Sequence, residues 1–149
     1  KQQGFQNVHM LEKTTPLIYI NIPASNELVE ESVLLYGHYD KQPWGPGWDK
    51  DKSPIIPVVE NGRLYGRGSS DDGYTMYAFL LAIKAIKELG GSHPKFHIII
   101  EGCEESGSFD INEYLTLLEV YSYLYSPLLV NLISSFAQTL VLMITIDYG

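Results

Sequence analysis

A single cysteine, Cys103, occurs in the 149 residues, so no disulfide can close within the chain. That scarcity fits a reducing compartment, and a cytoplasmic location is the expectation. Lys and Arg number 10 against 18 Asp and Glu and form no cluster, which excludes the basic footprint of a nucleic-acid binder. No Gly-Lys-Ser/Thr follows the glycines of "GRGSSDDG", and Gly-x-Gly-x-x-Gly is missing too, so neither a phosphate loop nor a dinucleotide fingerprint is present. Internal repeats and low-complexity tracts are absent. Charge is also absent from Val120 to Ile146. Pro127 to Ile146 is long enough to span a membrane, yet Asn131, Ser134, Ser135, Gln138 and Thr139 interrupt it. A buried helix followed by the strand "LVLMITI" accounts for the same letters, and no membrane span is expected. The chain opens on Lys1 rather than Met, so the lack of a leader peptide says nothing of location.

What remains is globular. Apolar residues make up 45% and the length suffices for one domain with a real core. A formal net charge of −8 suits a soluble domain, or one that offsets some carboxylates with metal cations. "LIYINI" at 17–22 and "VLLYGHYD" at 33–40 read as strands, the second buried and ending near Gly37. Asn61-Gly62 between 55–59 and 63–66 predicts a hairpin. Met76, Phe79, Leu80, Ile83 and Ile86 recur at helical spacing, which predicts a helix from about Tyr74 to Leu89, stopped by Gly90-Gly91. "KFHIIIEG" is the next strand, and Asp110 is an acceptable N-cap for a helix over 111–118. Strands alternating with helices predict an α/β fold, a mixed and mostly parallel sheet flanked by helices. In such sheets the ligand crevice lies beyond the carboxyl ends of the strands.

Polar groups collect at those ends. Glu101, Glu104 and Glu105 crowd the mouth of one strand, where like charges repel unless something positive faces them. His38 and Asp40 follow "VLLYG", Asp71-Asp72 follows the hairpin, and Asp147 follows "LVLMITI". One His and several carboxylates at separate strand ends form a plausible ligand set for zinc or a similar divalent ion. Two cations sharing a carboxylate explain why so many acids tolerate one another. Each member also has a plainer reading. His38 can be a turn histidine, Asp40 a turn initiator, Asp71-Asp72 charges at a helix start, and Glu104-Glu105 a solvated strand end. Repetition of the pattern favours the metal. In His-x-Asp, Asp40 suits the carboxylate that receives the other ring N–H of a ligating His38. One glutamate of the Glu104-Glu105 pair can reach a metal while its neighbour reaches water as a general base.

"LLYGHYDKQP", "NGRLYGRGSSDDGYTMYAFLLAIKAI" and "IIIEGCEESGSFD", in that order, resemble the co-catalytic zinc metallopeptidases, the family of carnosinase, cytosolic dipeptidases, aminoacylase and succinyl-diaminopimelate desuccinylase. The resemblance covers about residues 30 to 115. It implies a zinc-exopeptidase-like fold and hydrolysis of a peptide or amide bond in a small peptide or N-acyl amino acid. It implies two divalent cations, zinc above all, with manganese or cobalt able to occupy the same ligands. By the family's motifs His38 binds one metal with Asp40 supporting it, Asp71 bridges both, Glu104 is the general base, and Glu105 holds the other metal. Asp147 completes the first site by the same resemblance. Two departures stand out. The uncharged stretch from Val120 places Asp147 late. The family's further histidine has no counterpart, since His9, His93 and His97 lie in no matching motif. The expectation is therefore that residues 1–149 are the N-terminal part of a catalytic domain. The rest of that domain is expected to be missing, together with the lid or dimerisation domain that makes a full-length homodimer an option. The alternative is a non-catalytic fragment or pseudo-enzyme of the same fold.

Other motifs weigh less. Asp49 to Glu60 places acids at positions 1, 3 and 12 of a calcium loop, but Pro54 stands where that loop needs glycine. Cys103 inside a strand end reads as a small buried residue rather than a nucleophile. Trp44 and Trp48 can line a substrate rim or pack their own Pro-Gly loop.

Overall fold

The computed structural model describes residues 7–29, 32–118 and 143–146. Ten short elements follow one another: β1 (Val8–Leu11), β2 (Leu17–Ile22), β3 (Ser32–His38), β4 (Val58–Glu60), β5 (Arg63–Tyr65), α1 (Thr75–Glu88), β6 (Lys95–Glu101), a 3₁₀ turn (Glu104–Ser106), α2 (Ile111–Leu117) and β7 (Met143–Ile146). The main sheet has the order β1-β2-β6-β3-β7, and β4-β5 form a separate ribbon. Asn61 and Gly62 turn that ribbon with φ of 51° and 74°, the pair of positive values that a two-residue hairpin turn requires.

Alternation along the strands explains the layers. Ile20, Ile22, Val33, Leu35, Phe96, Ile98 and Ile100 face one way and pack on Phe79 and Ile83 of α1. Leu17, Tyr19, Leu34 and Ile99 face the other way and pack on Ile111, Tyr114 and Leu115 of α2. Each such Ile, Leu or Phe removed from water contributes about 1.5–3 kcal/mol, so the two apolar faces fix the register of the central strands. A one-residue slip of β6 would send His97 and Glu101 into the layer of Phe79.

The sheet is mixed, as expected, but not mostly parallel: among the described residues the parallel pairing is confined to β3 and β6, while β1–β2, β2–β6 and β3–β7 run antiparallel. The connection from β1 to β2 is too short for anything but a hairpin, whereas α1 lies between β3 and β6 in sequence and permits the parallel crossover. That one crossover decides where chemistry can occur. Parallel neighbours end on the same side, and His38 at the end of β3 sits in register with Glu101 at the end of β6. The start of α1 is pressed onto the same corner. A Cβ on Gly37 would meet Asp72 Oδ2 at 3.0 Å and Thr75 Cγ2 at 3.1 Å, so a larger residue here would press on both groups.

β7 pairs Ile146 with Ser32, at the end of β3 remote from His38. Asp147 lies outside the described residues, as does most of the uncharged stretch. Among the described residues, no helix is long and apolar enough to cross a membrane.

Candidate metal centre

β3 delivers His38 into the corner with 8% of its surface exposed. Its ring is held from both sides. Nδ1 lies 3.2 Å from the Asp40 carbonyl and 3.3 Å from Asp40 Oδ1, while Nε2 lies 3.1 Å from Asp71 Oδ1. Glu104 Oε2 is 3.7 Å from the same Nε2. Burial draws the imidazole toward neutrality, but Glu104, Asp71, Asp40 and Asp72 together outweigh it and raise its pKa. Both ring nitrogens thus face carboxylate or carbonyl oxygens.

Asp40 does more than the His-x-Asp spacing suggests. Its Oδ1 and Oδ2 accept from the backbone N–H groups of Glu104 and Glu105 at 3.2 and 3.0 Å. One carboxylate thus fixes the imidazole and caps the 3₁₀ turn that carries both glutamates. That turn is what separates the pair. Glu104 points inward, 8% exposed, and Glu105 points toward the rim, where Gln42 Nε2 donates to its Oε2 at 2.7 Å.

Asp71 and Asp72 also divide. Asp71 reaches His38, whereas Asp72 turns back: its Oδ1 accepts from Thr75 N and Oγ1 at 3.2 and 2.5 Å, and its Oδ2 from His38 N at 3.4 Å. Asp72 therefore starts α1, the role that a carboxylate at a helix N-terminus performs. Of the acidic pair, Asp71 alone is presented to the cluster.

One ligand atom each from His38, Asp71 and Glu105 lies within 4.8 Å of the others. The set is one imidazole nitrogen and carboxylate oxygens, the donors that zinc, manganese and cobalt accept. Glu104 Oε2 is buried and has no hydrogen-bond partner among the described residues. Leaving a buried carboxylate oxygen unpaired costs about 1–3 kcal/mol or more, so its natural partner is a group that binds at this place. Burial, with Glu105, Asp71 and Glu101 adding repulsion against the opposing pull of His38, raises the Glu104 carboxyl to about 7. The residues present fit a divalent cation.

Beneath the turn, Glu101 is 3% exposed and accepts from the Tyr36 hydroxyl and, at 2.9 Å, from Ser108 Oγ. It belongs to the support, not to the cluster. The remaining histidines stand elsewhere. His97 lies within β6, its Nδ1 2.7 Å from the Tyr19 hydroxyl, and burial lowers its pKa to about 4. His93 donates from Nδ1 to the Pro94 carbonyl at 2.8 Å, just before β6 begins. His9 stacks on Tyr19. Among the described residues, none of the three joins His38.

The rival motifs resolve in plain ways. In the 49–60 loop, the Lys52 ammonium sits 2.6 Å from Asp51 and 3.1 Å from Glu60, an internal cation where calcium would need to be. Cys103 is 2% exposed and belongs to the core. Trp44 and Trp48 line a cavity of about 340 Å³ with Tyr65 and Arg67, and Trp48 Nε1 donates to the Trp44 carbonyl at 2.8 Å.

The chain is similar to known proteins over much of its length. The profile of peptidase family M20/M25/M40 matches residues 34–129. The Cys-Gly metallodipeptidase DUG1 of Candida albicans is 38% identical over 101 residues, covering 66% of this chain and 21% of the relative. Succinyl-diaminopimelate desuccinylase of Nitrosomonas europaea is 38% identical over 79 residues, covering 52% and 21%. The crystal structure of human carnosine dipeptidase 1 superposes with a TM-score of 0.63 at 27% identity, covering 76% of this chain and 26% of that one. The chain thus spans about a fifth of the length of these curated relatives, since each is covered to 21%.

Proposed function

The chain belongs to peptidase family M20/M25/M40, and from that premise we propose that it supplies metal-binding residues of a hydrolase that cleaves a peptide or amide bond in a dipeptide or N-acyl amino acid. One observation carries the reading: His38, Asp71 and Glu105, from three separate segments, bring ligand atoms within 4.8 Å of one another beside the buried Glu104. His38 and Asp71 would hold one divalent cation, Asp71 and Glu105 a second, with zinc the expected metal. When bound, such cations polarise the scissile carbonyl and make water more acidic.

The protein's own groups do the rest. Asp40 fixes the His38 ring and the 3₁₀ turn together, so the imidazole and the two glutamates keep one spacing. Glu104 takes the proton from the attacking water and gives it to the departing amine. A buried carboxyl at the edge of the cluster is placed for both halves of that transfer. The names of the relatives favour small substrates of two kinds, Cys-Gly and a succinylated amino acid. Residues 1–149 act here as the N-terminal part of a catalytic domain, a reading that the fraction of each relative covered supports.

A second reading, a non-catalytic member of the same fold, is favoured by the absence of another imidazole from the cluster among the described residues. One assay separates them. Full-length protein is incubated with a panel of dipeptides and N-acyl amino acids, then stripped with a chelator and reloaded. The expected result is hydrolysis that disappears on chelation and returns with zinc, manganese or cobalt. Tight zinc binding with no turnover of any member of the panel supports the non-catalytic reading, and hydrolysis that persists after exhaustive chelation removes both.

A further inference from the structure

Lys41 lies next to the cluster, and nothing in the mechanism uses it. Its ammonium donates to three backbone carbonyls: Tyr39 at 2.8 Å, Asp40 at 3.1 Å, and Asp72, the closest of the three. An ammonium has three N–H bonds, so its donor capacity is filled entirely by main chain. Two of those carbonyls belong to the segment leaving β3, and the third belongs to the loop that presents Asp71. The stem of Lys41 runs across Gly68. A Cβ there would fall 2.4 Å from Lys41 Cε and 2.8 Å from Cδ, and Gly68 has a φ of +85°, so this loop is shaped for the lysine to lie in it. The loop then closes on itself at Gly73, where a Cβ would stand 2.4 Å from the Gly68 carbonyl oxygen.

The need for such a tie follows from the site. The 3.1 Å contact between His38 Nε2 and Asp71 Oδ1 passes through two side chains that would hold the cation. The Asp71 loop then needs fastening that does not pass through either ligand side chain. The Lys41 bonds meet that condition, because all three end on carbonyl oxygens.

We propose that Lys41 is a positioning residue that staples the Asp71 loop to the His38–Asp40 segment and sets the ligand spacing for the cations. This rests on the reading of the cluster as a metal site. A rival role for the lysine, as a countercharge to the surrounding carboxylates, predicts the opposite sign. Removing a positive charge beside an acidic site strengthens its attraction for a cation, whereas removing a staple weakens it.

The test is zinc titration of metal-free full-length protein by calorimetry, with thermal melting before and after zinc. Lys41→Met keeps most of the stem over Gly68 and removes charge and donors. Gly68→Ala keeps the charge and pushes the stem aside. Both are expected to bind zinc at least tenfold more weakly than the unmutated protein, with a smaller zinc-induced rise in melting temperature. Lys41→Arg, which retains charge and donors, is expected to restore affinity to within about threefold of the unmutated protein. A lysine serving stability alone would lower the melting temperature with and without zinc equally and leave the zinc-induced rise unchanged. Affinity in Lys41→Met that is unchanged or tighter overturns the staple, and should that variant not fold, unchanged affinity in Gly68→Ala does so. Absence of zinc binding by the unmutated protein removes the metal reading itself.

Discussion

Glu104→Gln is expected to slow hydrolysis by about 10²–10⁴-fold, the usual contribution of a positioned general base, while zinc content stays unchanged. The amide has nearly the shape of the carboxyl but cannot take a proton from water. The same substitution is expected to stabilise the metal-free protein at neutral pH. Burial, Glu105, Asp71 and Glu101 hold the folded carboxyl near 7, against an unfolded value of 4.5. Below about 4.5 both states are protonated and nothing is lost. As pH rises from about 4.5 to 7, the unfolded chain releases the proton that the folded chain retains, so stability falls across that window and stays reduced above it. Gln cannot ionise and escapes the loss. The gain is on the order of 1–2 kcal/mol, since solvent on the open side screens part of the shift. Steady-state kinetics and chemical denaturation at pH 4.5 and pH 8 check the two halves. Full activity in Glu104→Gln would remove the base, and equal pH dependence of stability in both proteins would remove the account of its carboxyl.

The second large effect belongs to His38. Its imidazole is the sole nitrogen donor of the cluster among the described residues. It is also the point on which Asp40, Asp71 and Glu104 converge. Changing it to Ala leaves acids facing a void with no nitrogen ligand. Loss of one outer partner of a metal ligand costs 10–100-fold in metal affinity, so loss of the ligand itself is expected to cost at least about 100-fold. Metal content after dialysis, read by elemental analysis, should fall below one half equivalent for the first site. Activity should fall with it and return in part at high zinc. Retention of full zinc after dialysis would mean that the cation sits elsewhere.

Much of this architecture can be read directly in the letters, for identifiable reasons. β2 is legible at its observed residues, because "LIYINI" is bounded by prolines and alternates. α1 is legible to within one residue at each end, because its apolar spacing is regular and glycines stop it. The positions of His38 and Glu101 at the ends of their strands follow from the apolar runs before them. What was not legible depends on long-range contact. β1, "VHML", is a short edge strand whose two middle residues, His9 and Met10, meet water, so it carries no alternating pattern of its own. Glu104 and Glu105 occupy a 3₁₀ turn rather than a strand end or bulge, since the turn exists by virtue of Asp40, more than sixty residues earlier. Asp110 stands at the N-cap of α2, but its carboxylate accepts from Thr15 N at 2.9 Å instead of from its own helix. Gln42 and Lys41 look like ordinary loop residues in sequence. Their partners, Glu105 and Asp72, become visible only once β3, β6 and α1 share a corner.

The direct test is diffraction from crystals of the zinc-loaded protein, with anomalous differences collected at the zinc edge. The account predicts a peak at about 2.0–2.2 Å from His38 Nε2 and from a carboxylate oxygen of Asp71, with Glu105 at that peak or at a second one sharing Asp71. A peak confined to His93, His97 or the Asp49–Glu60 loop, with His38 still hydrogen-bonded to Asp71, would contradict it.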